Sequence, residues 1–144
     1  MYDAMQIAKY TINYCAKKGI SITNLKLQKL LYFLWIGYYN ATGTSLFRNR
    51  FYAWPLGPVV TDVYDNFCAY GGLKIRTFFE SVSLLERDEQ ILDSALSILS
   101  SYTASQLVNL SHKRGKPWQK VYANGIGRGN CIPFEMIIED ECVG

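Results

Sequence analysis

The chain has 144 residues, a 49% apolar fraction and a formal net charge of +3, enough for one domain with a proper core and too little charge to advertise nucleic-acid binding. Asp3, Gln6 and Lys9, then Lys17 and Lys18, break up the opening segment, which argues against an export signal. No apolar run approaches the roughly 18 residues needed to span a bilayer, so a cytoplasmic protein is expected. Cys15, Cys68, Cys131 and Cys142 form no Cys-x-x-Cys pair, which excludes zinc-ribbon and thioredoxin-type motifs and reads as reduced thiols.

Asp3 with Gln6 is a capping box. It opens a helix whose inner positions are Ile7, Ala8, Thr11 and Cys15 and which Gly19 closes. Thr23 caps a second helix through Leu27, Leu30, Leu31, Leu34 and Tyr38, stopped by Asn40 and Gly43. This helix is apolar nearly all round beyond Lys29, so it belongs in the middle of a bundle. Residues 48–54 suggest a brief strand or extended loop. In Trp54-Pro55-Leu56-Gly57-Pro58 a tight turn is expected, with Pro58 opening a third helix lined by Val59, Val60, Val63, Tyr64, Phe67 and Cys68.

Residues 73–85 read either as a strand or as a packed loop. The acids Glu86, Asp88 and Glu89 suit the start of a fourth helix with Ile91, Leu92, Ala95, Leu96 and Leu99 inside. Thr103 with Gln106 caps a fifth helix that runs to His112, and Pro117 starts a sixth carrying Trp118, Val121 and Tyr122. Gly125 to Gly129 reads as an exposed loop, and Pro133 precedes a last short helix. The expected fold is all-α: one domain over residues 1–144, about six to seven helices, and a small extended or β element near 48–54 and also at 75–84 as an option.

Charge is unevenly spread. Residues 1–50 hold Lys9, Lys17, Lys18, Lys26, Lys29, Arg48 and Arg50 against the single acid Asp3, whereas Glu135, Glu139, Asp140 and Glu141 crowd the end. The two ends face each other or different partners.

Little here promises chemistry. His112 is the one histidine; beside Ser111 it lacks the turn that presents a nucleophile, and it reads as a helix-end residue favouring the dipole, bonding locally and packing near Trp118. The acids Asp62 and Asp65, and Asp88, Glu89 and Asp93, read as solvated helix faces rather than acid/base pairs. No cofactor and no metal ligand set is expected, and the glycines at 125–129 lack the Lys-Ser/Thr of a phosphate loop. On the second helix Gln28, Tyr32, Trp35 and Tyr39 share a stripe beside Lys26, Lys29 and Phe33. Two readings stand: a binding face of polar-tipped aromatics, or core packing with snorkelling lysines.

Three ordered blocks carry a resemblance: Thr23-Asn24-Leu25-Lys26-Leu27-Gln28-Lys29-Leu30-Leu31-Tyr32-Phe33, then Ala53-Trp54-Pro55-Leu56-Gly57-Pro58-Val59-Val60 with Tyr64, then Leu110-Ser111-His112 with Pro117-Trp118. Together they resemble the Panacea (SocA-like, GepA) domain family, over roughly residues 3–140. The resemblance implies a mainly helical, non-enzymatic antitoxin, of a kind often carried by phages and mobile elements, that neutralises a cognate protein toxin by direct contact. It also implies an alternative, a proteolytic adaptor delivering its partner to an AAA+ protease. A phage-encoded nucleic-acid-binding regulator is a third reading, resting on the basic first third and weakened by the acids after residue 50. The partner-binding residues it suggests are Lys26, Gln28, Lys29, Tyr32, Phe33, Trp54, His112 and Trp118. It leaves oligomeric state open.

Overall fold

The computed structural model describes residues 1–143. Its helices are α1 (Ala4–Lys18), α2 (Asn24–Thr42), α3 (Thr61–Phe67), α4 (Glu86–Leu99), α5 (Ala104–Ser111), α6 (Pro117–Tyr122) and α7 (Phe134–Glu141). Its strands are β1 (Phe51–Trp54), β2 (Gly57–Val59) and β3 (Cys131–Ile132). The domain is mostly helical, with a small antiparallel sheet in the order β2-β1-β3.

Local signals set the helix ends. Asp3 and Gln6 exchange side-chain and backbone hydrogen bonds at the start of α1, as do Thr103 and Gln106 at α5. The Thr23 hydroxyl accepts from the Lys26 amide at the start of α2, while Gly19 and Gly43 end α1 and α2 in the left-handed region.

Around α2 the rest of the domain is assembled: it packs against α1, α3, α4, α5, β2 and α7. Twelve of its nineteen residues are buried, and along its middle turns only Phe33 and Gly37 are partly open. Trp35, fully buried, donates from Nε1 to the Phe47 carbonyl at 3.0 Å and stacks on Phe134 and Tyr39. The sequence placed this helix at the centre of a bundle, and there it lies.

The third helix starts later than expected. Pro58 belongs to β2, opposite Ala53, and α3 begins at Thr61. The hairpin pairing of Trp54 with Gly57 and Tyr52 with Val59 wins over the local preference of proline for a helix start. Within the pair Ala53 and Pro58, the Ala53 amide and carbonyl turn away from β2, to Asn130 and Gly129. The Pro58 carbonyl turns the other way, toward α2. The missing N–H of Pro58 therefore falls on the edge where the ladder needs no donor. Cys68, expected on the inner stripe of that helix, is exposed in a 3₁₀ turn, Cys68–Tyr70.

No strand forms over 75–84. The segment is held instead by the Ile75 amide on the Ile22 carbonyl at 2.8 Å and by Asn13, whose side chain both donates to and accepts from the Phe79 backbone at 2.7 and 2.8 Å. An asparagine side chain thus does the pairing that a neighbouring strand would do. In the glycine-rich loop Ile126 is exposed but Gly127 is buried, and a Cβ on it would run into the Val121 carbonyl.

One acid departs from the solvated-face reading. Asp88 is only 2% exposed and accepts from Tyr2 at 2.6 Å, Tyr38 at 3.0 Å and Arg87 at 2.9 Å. Burial pushes its carboxyl up, but the hydrogen bonds more than offset that and hold it below the usual carboxylate range. Asp88→Asn is expected to cost about 2 kcal/mol at neutral pH. The stabilisation belongs to the ionised form, so the gap between wild type and variant should shrink as pH falls through the depressed value, as urea melts at neutral and acid pH will show.

Candidate functional site

Three consecutive contacts from the first turns of α2 grip the chain that follows the hairpin. Gln28 accepts from the Val60 amide at 3.0 Å and donates to Asn24, which itself donates to the Tyr64 carbonyl at 3.0 Å. The Lys29 ammonium donates to the Pro58 carbonyl at 2.7 Å. From the other side, Trp118 on α6 donates through Nε1 to the Trp54 carbonyl at 2.7 Å. His112, at the end of α5, stacks on Trp118 with ring centres 3.6 Å apart. The residues suggested as partner-binding, scattered through the sequence, are mostly brought together beneath one hairpin.

Their exposure differs. Lys29 and Tyr32 are fully buried, Gln28 nearly so, and Lys26 and Trp118 are 8% exposed. In this conformation they offer a partner almost no area. Lys26 donates to the Ser100 carbonyl at 2.8 Å, and Tyr32 to Glu141 at 2.9 Å. Phe33, Trp54 and His112 are half-buried. Periodicity had put Gln28, Tyr32 and Trp35 on one stripe; on a helix apolar all round, that stripe is core.

Lys29 lies in a close space. A Cβ on Gly57 would come 2.6 Å from Lys29 Cε and 2.8 Å from Ser111 Oγ, and the backbone there has φ +116°. Only glycine lets the turn sit on the lysine stem in that conformation. Gly57→Ala is expected to cost about 3 kcal/mol through strain and overpacking, measured by denaturant unfolding.

Burial pushes the Lys29 ammonium down to about 7. Burial and then the nearby Lys29 charge lower His112, whose Nε2 is buried without a hydrogen-bond partner. Both effects disfavour the imidazolium and so weaken the attraction to the helix dipole that the sequence reading invoked. Ser111 spends its hydroxyl on the Val108 carbonyl at 2.8 Å. Nothing in this pair activates a nucleophile. Among the described residues no group of His, Cys, Asp and Glu side chains comes together to hold a metal ion.

Above the clasp, Pro55 and Leu56 form the exposed tip of the hairpin, Leu56 at 55% exposure. Trp54 meets the edge of Tyr64 at 4.8 Å. Beside the tip opens a pocket of about 230 Å³, walled by Leu25, Trp54, Pro55, Leu56, Val59 and Tyr64, with Asn24 and Gln28 at its polar side and Gly71 at its rim. The exposure of Leu56 gave no periodic signal in the sequence. A larger trough, about 620 Å³, separates α1 from α4; its walls mix Lys17 and Lys18 with Glu89 and Asp93, and Tyr10 donates to Asp93 across it.

A model of the family described as "Antitoxin SocA-like, Panacea domain" matches residues 27–119. The chain belongs to this family. Antitoxin SocA of Caulobacter vibrioides (strain NA1000 / CB15N) is 36% identical over 137 residues, which cover 87% of this chain and 72% of its own length. No solved structure matches. The Panacea match runs from Leu27 in α2 to Gln119 in α6. It therefore contains the hairpin, Lys29, Gln28, His112 and Trp118, and leaves outside it Asn24 and all of α1.

In the basic first third Lys17, Lys18, Arg48 and Arg50 are exposed. Lys9, Lys17 and Lys18 lie over the rings of Phe79, Phe78 and Tyr14, and Lys26 and Lys29 point inward. The acidic end pairs elsewhere: Asp140 with Lys120 at 2.7 Å and Glu141 with Lys116 at 3.7 Å. Among the described residues no helix is long and apolar enough to cross a membrane.

Proposed function

We propose that this chain is a non-catalytic cytoplasmic antitoxin that neutralises a cognate protein toxin by binding it directly. Membership of the SocA-like Panacea family supports the reading, and so does the disposition of the signature residues. Lys29 and Trp118 bond to the backbone of the hairpin and Gln28 to the Val60 amide just after it, which supports a tip held in a fixed position. A rigidly held exposed tip is what a binding surface requires, because a preordered element loses little entropy when it docks. In this reading Trp54, Phe33 and the tip face the partner, Gln28, Lys29, His112 and Trp118 position the tip, and Lys26 and Tyr32 fasten α2 to Ser100 and Glu141.

Co-expression decides the matter. The product of an adjacent gene should arrest growth alone and be harmless beside this chain, with a complex of the two recovered by affinity purification. A neighbour that is equally harmless or equally toxic with and without the chain defeats the proposal. Toxin half-life in the same cells separates simple occlusion, where it is unchanged, from delivery to an AAA+ protease, where it shortens.

A further inference from the structure

The link between α1 and α2 and the link between α4 and α5 together line a pocket of about 430 Å³, within the roughly 300–1,000 Å³ usual for small-molecule sites. Thr23 and Thr103, the N-caps of α2 and α5, both belong to its wall. Two helix N-termini therefore share one cavity, and the leading amides of each have no intrahelical acceptor. The cap hydroxyls accept from the Lys26 and Gln106 amides, which leaves each O–H to donate elsewhere.

Lys26 supplies the charge. It is the one charged residue on the pocket wall and is only 8% exposed. Its ammonium hydrogen-bonds the carbonyl of Ser100, another residue of the wall, at 2.8 Å. Among the described residues no carboxylate pairs with it. A buried cation thus stands at the pocket without a counter-charge and with donors to spare. Burial accordingly lowers its pKa from the ordinary lysine value, and the nearby Cys15 thiol offsets this only in part.

We propose that this pocket binds the phosphate group of a small phosphorylated molecule, held by the Lys26 ammonium, the Thr23 and Thr103 hydroxyls and the leading amides of α2 and α5. Helix N-termini and a lysine point charge are the chemistry of phosphate recognition, whereas carboxylates favour the planar fork of arginine, which the wall lacks. Phosphate alone does not fill the volume, and Ile20, Tyr102 and Ala104 offer the rest of the ligand an apolar side. A nucleic-acid strand is the poorer occupant, since its backbone needs a row of cations and the wall has one. The proposal holds whether or not the chain neutralises a toxin.

The test titrates inorganic phosphate, phenyl phosphate and benzoate into the isotope-labelled full chain, with sodium chloride keeping ionic strength constant, and reads amide shifts by NMR. Saturable shifts at Lys26, Ser101 and Ala104 are expected, with phenyl phosphate binding about tenfold tighter than phosphate and benzoate about tenfold more weakly than phenyl phosphate. Lys26→Met keeps the apolar stem and should weaken phenyl phosphate by about tenfold. Ser21→Glu, at an exposed position of the wall, should weaken it as much by placing a carboxylate there, while Ser21→Gln changes it by less than about twofold. Thermal melts confirm that each variant is folded, and the Ser21 pair decides if Lys26→Met is not. Shifts no larger than those from chloride, shifts confined to other residues, benzoate as tight as phenyl phosphate, or tighter binding of oligo-dT at these residues overturns the proposal. So do folded Lys26→Met or Ser21→Glu variants that bind like the wild type.

Discussion

Lys29→Met is expected to gain stability over the wild type in mildly acidic solution and to lose that advantage as pH rises. Below about pH 7 the amine is protonated in both the folded and the unfolded chain, and the folded state carries the full cost of a buried charge. Between about 7 and the ordinary 10.5, the unfolded chain holds a proton that the folded chain has released, so wild-type stability climbs with pH. Above that range both are neutral. Methionine does not titrate, so the difference between the two proteins should shift by on the order of 4 kcal/mol across the window. The Pro58 carbonyl loses its donor in the variant, but this offset does not depend on pH and cancels from the slope. Urea melts from about pH 6 to about pH 10 check the prediction; a flat or reversed trend refutes it.

Trp118→Ala is expected to cost about 3–5 kcal/mol, the range for truncating a buried aromatic. The change removes the stack on His112, the stack on Tyr122 at 4.6 Å and the hydrogen bond to Trp54. Trp118→Phe keeps part of the ring packing and loses the hydrogen bond together with one ring of the indole, so about 2 kcal/mol is expected, less than for alanine. The alanine variant should also loosen the hairpin, with faster amide exchange at Tyr52 and Val59 than in the phenylalanine variant. Equal stability of the two would show that the stacks contribute nothing.

Much of this fold could be read from the chain because its helix ends are written in side chains. Asp3 with Gln6, Thr103 with Gln106, Gly19 and Gly43 each act within four residues, and local chemistry of that kind survives whatever surrounds it. Pro58 was misread because its rule is local and its environment is not: the strand opposite and Lys29 twenty-nine positions earlier decide where it sits. β3 escaped notice because a two-residue strand has no period to detect.

The sequence named residues of the hairpin clasp without placing them. Lys29, Gln28, Trp54, His112 and Trp118 meet around the hairpin, although the three ordered blocks that contain them carry a family resemblance and no geometry. A lysine or glutamine on a helix without a polar face gives no hint of direction, and here both point into the protein, matched to backbone carbonyls and amides of the hairpin. Leu56, flanked by prolines and glycine, carried no signal that its side chain would face outward.

With α2 packed against α1, α3, α4, α5, β2 and α7, its middle amides open only when several of these elements part from it together. Deuterium should reach the amides of Leu30 to Leu34 only in that concerted opening. An unfoldase hauling on either terminus would consequently meet its main resistance there, so the lifetime of the molecule in the cell is set by one cooperative event.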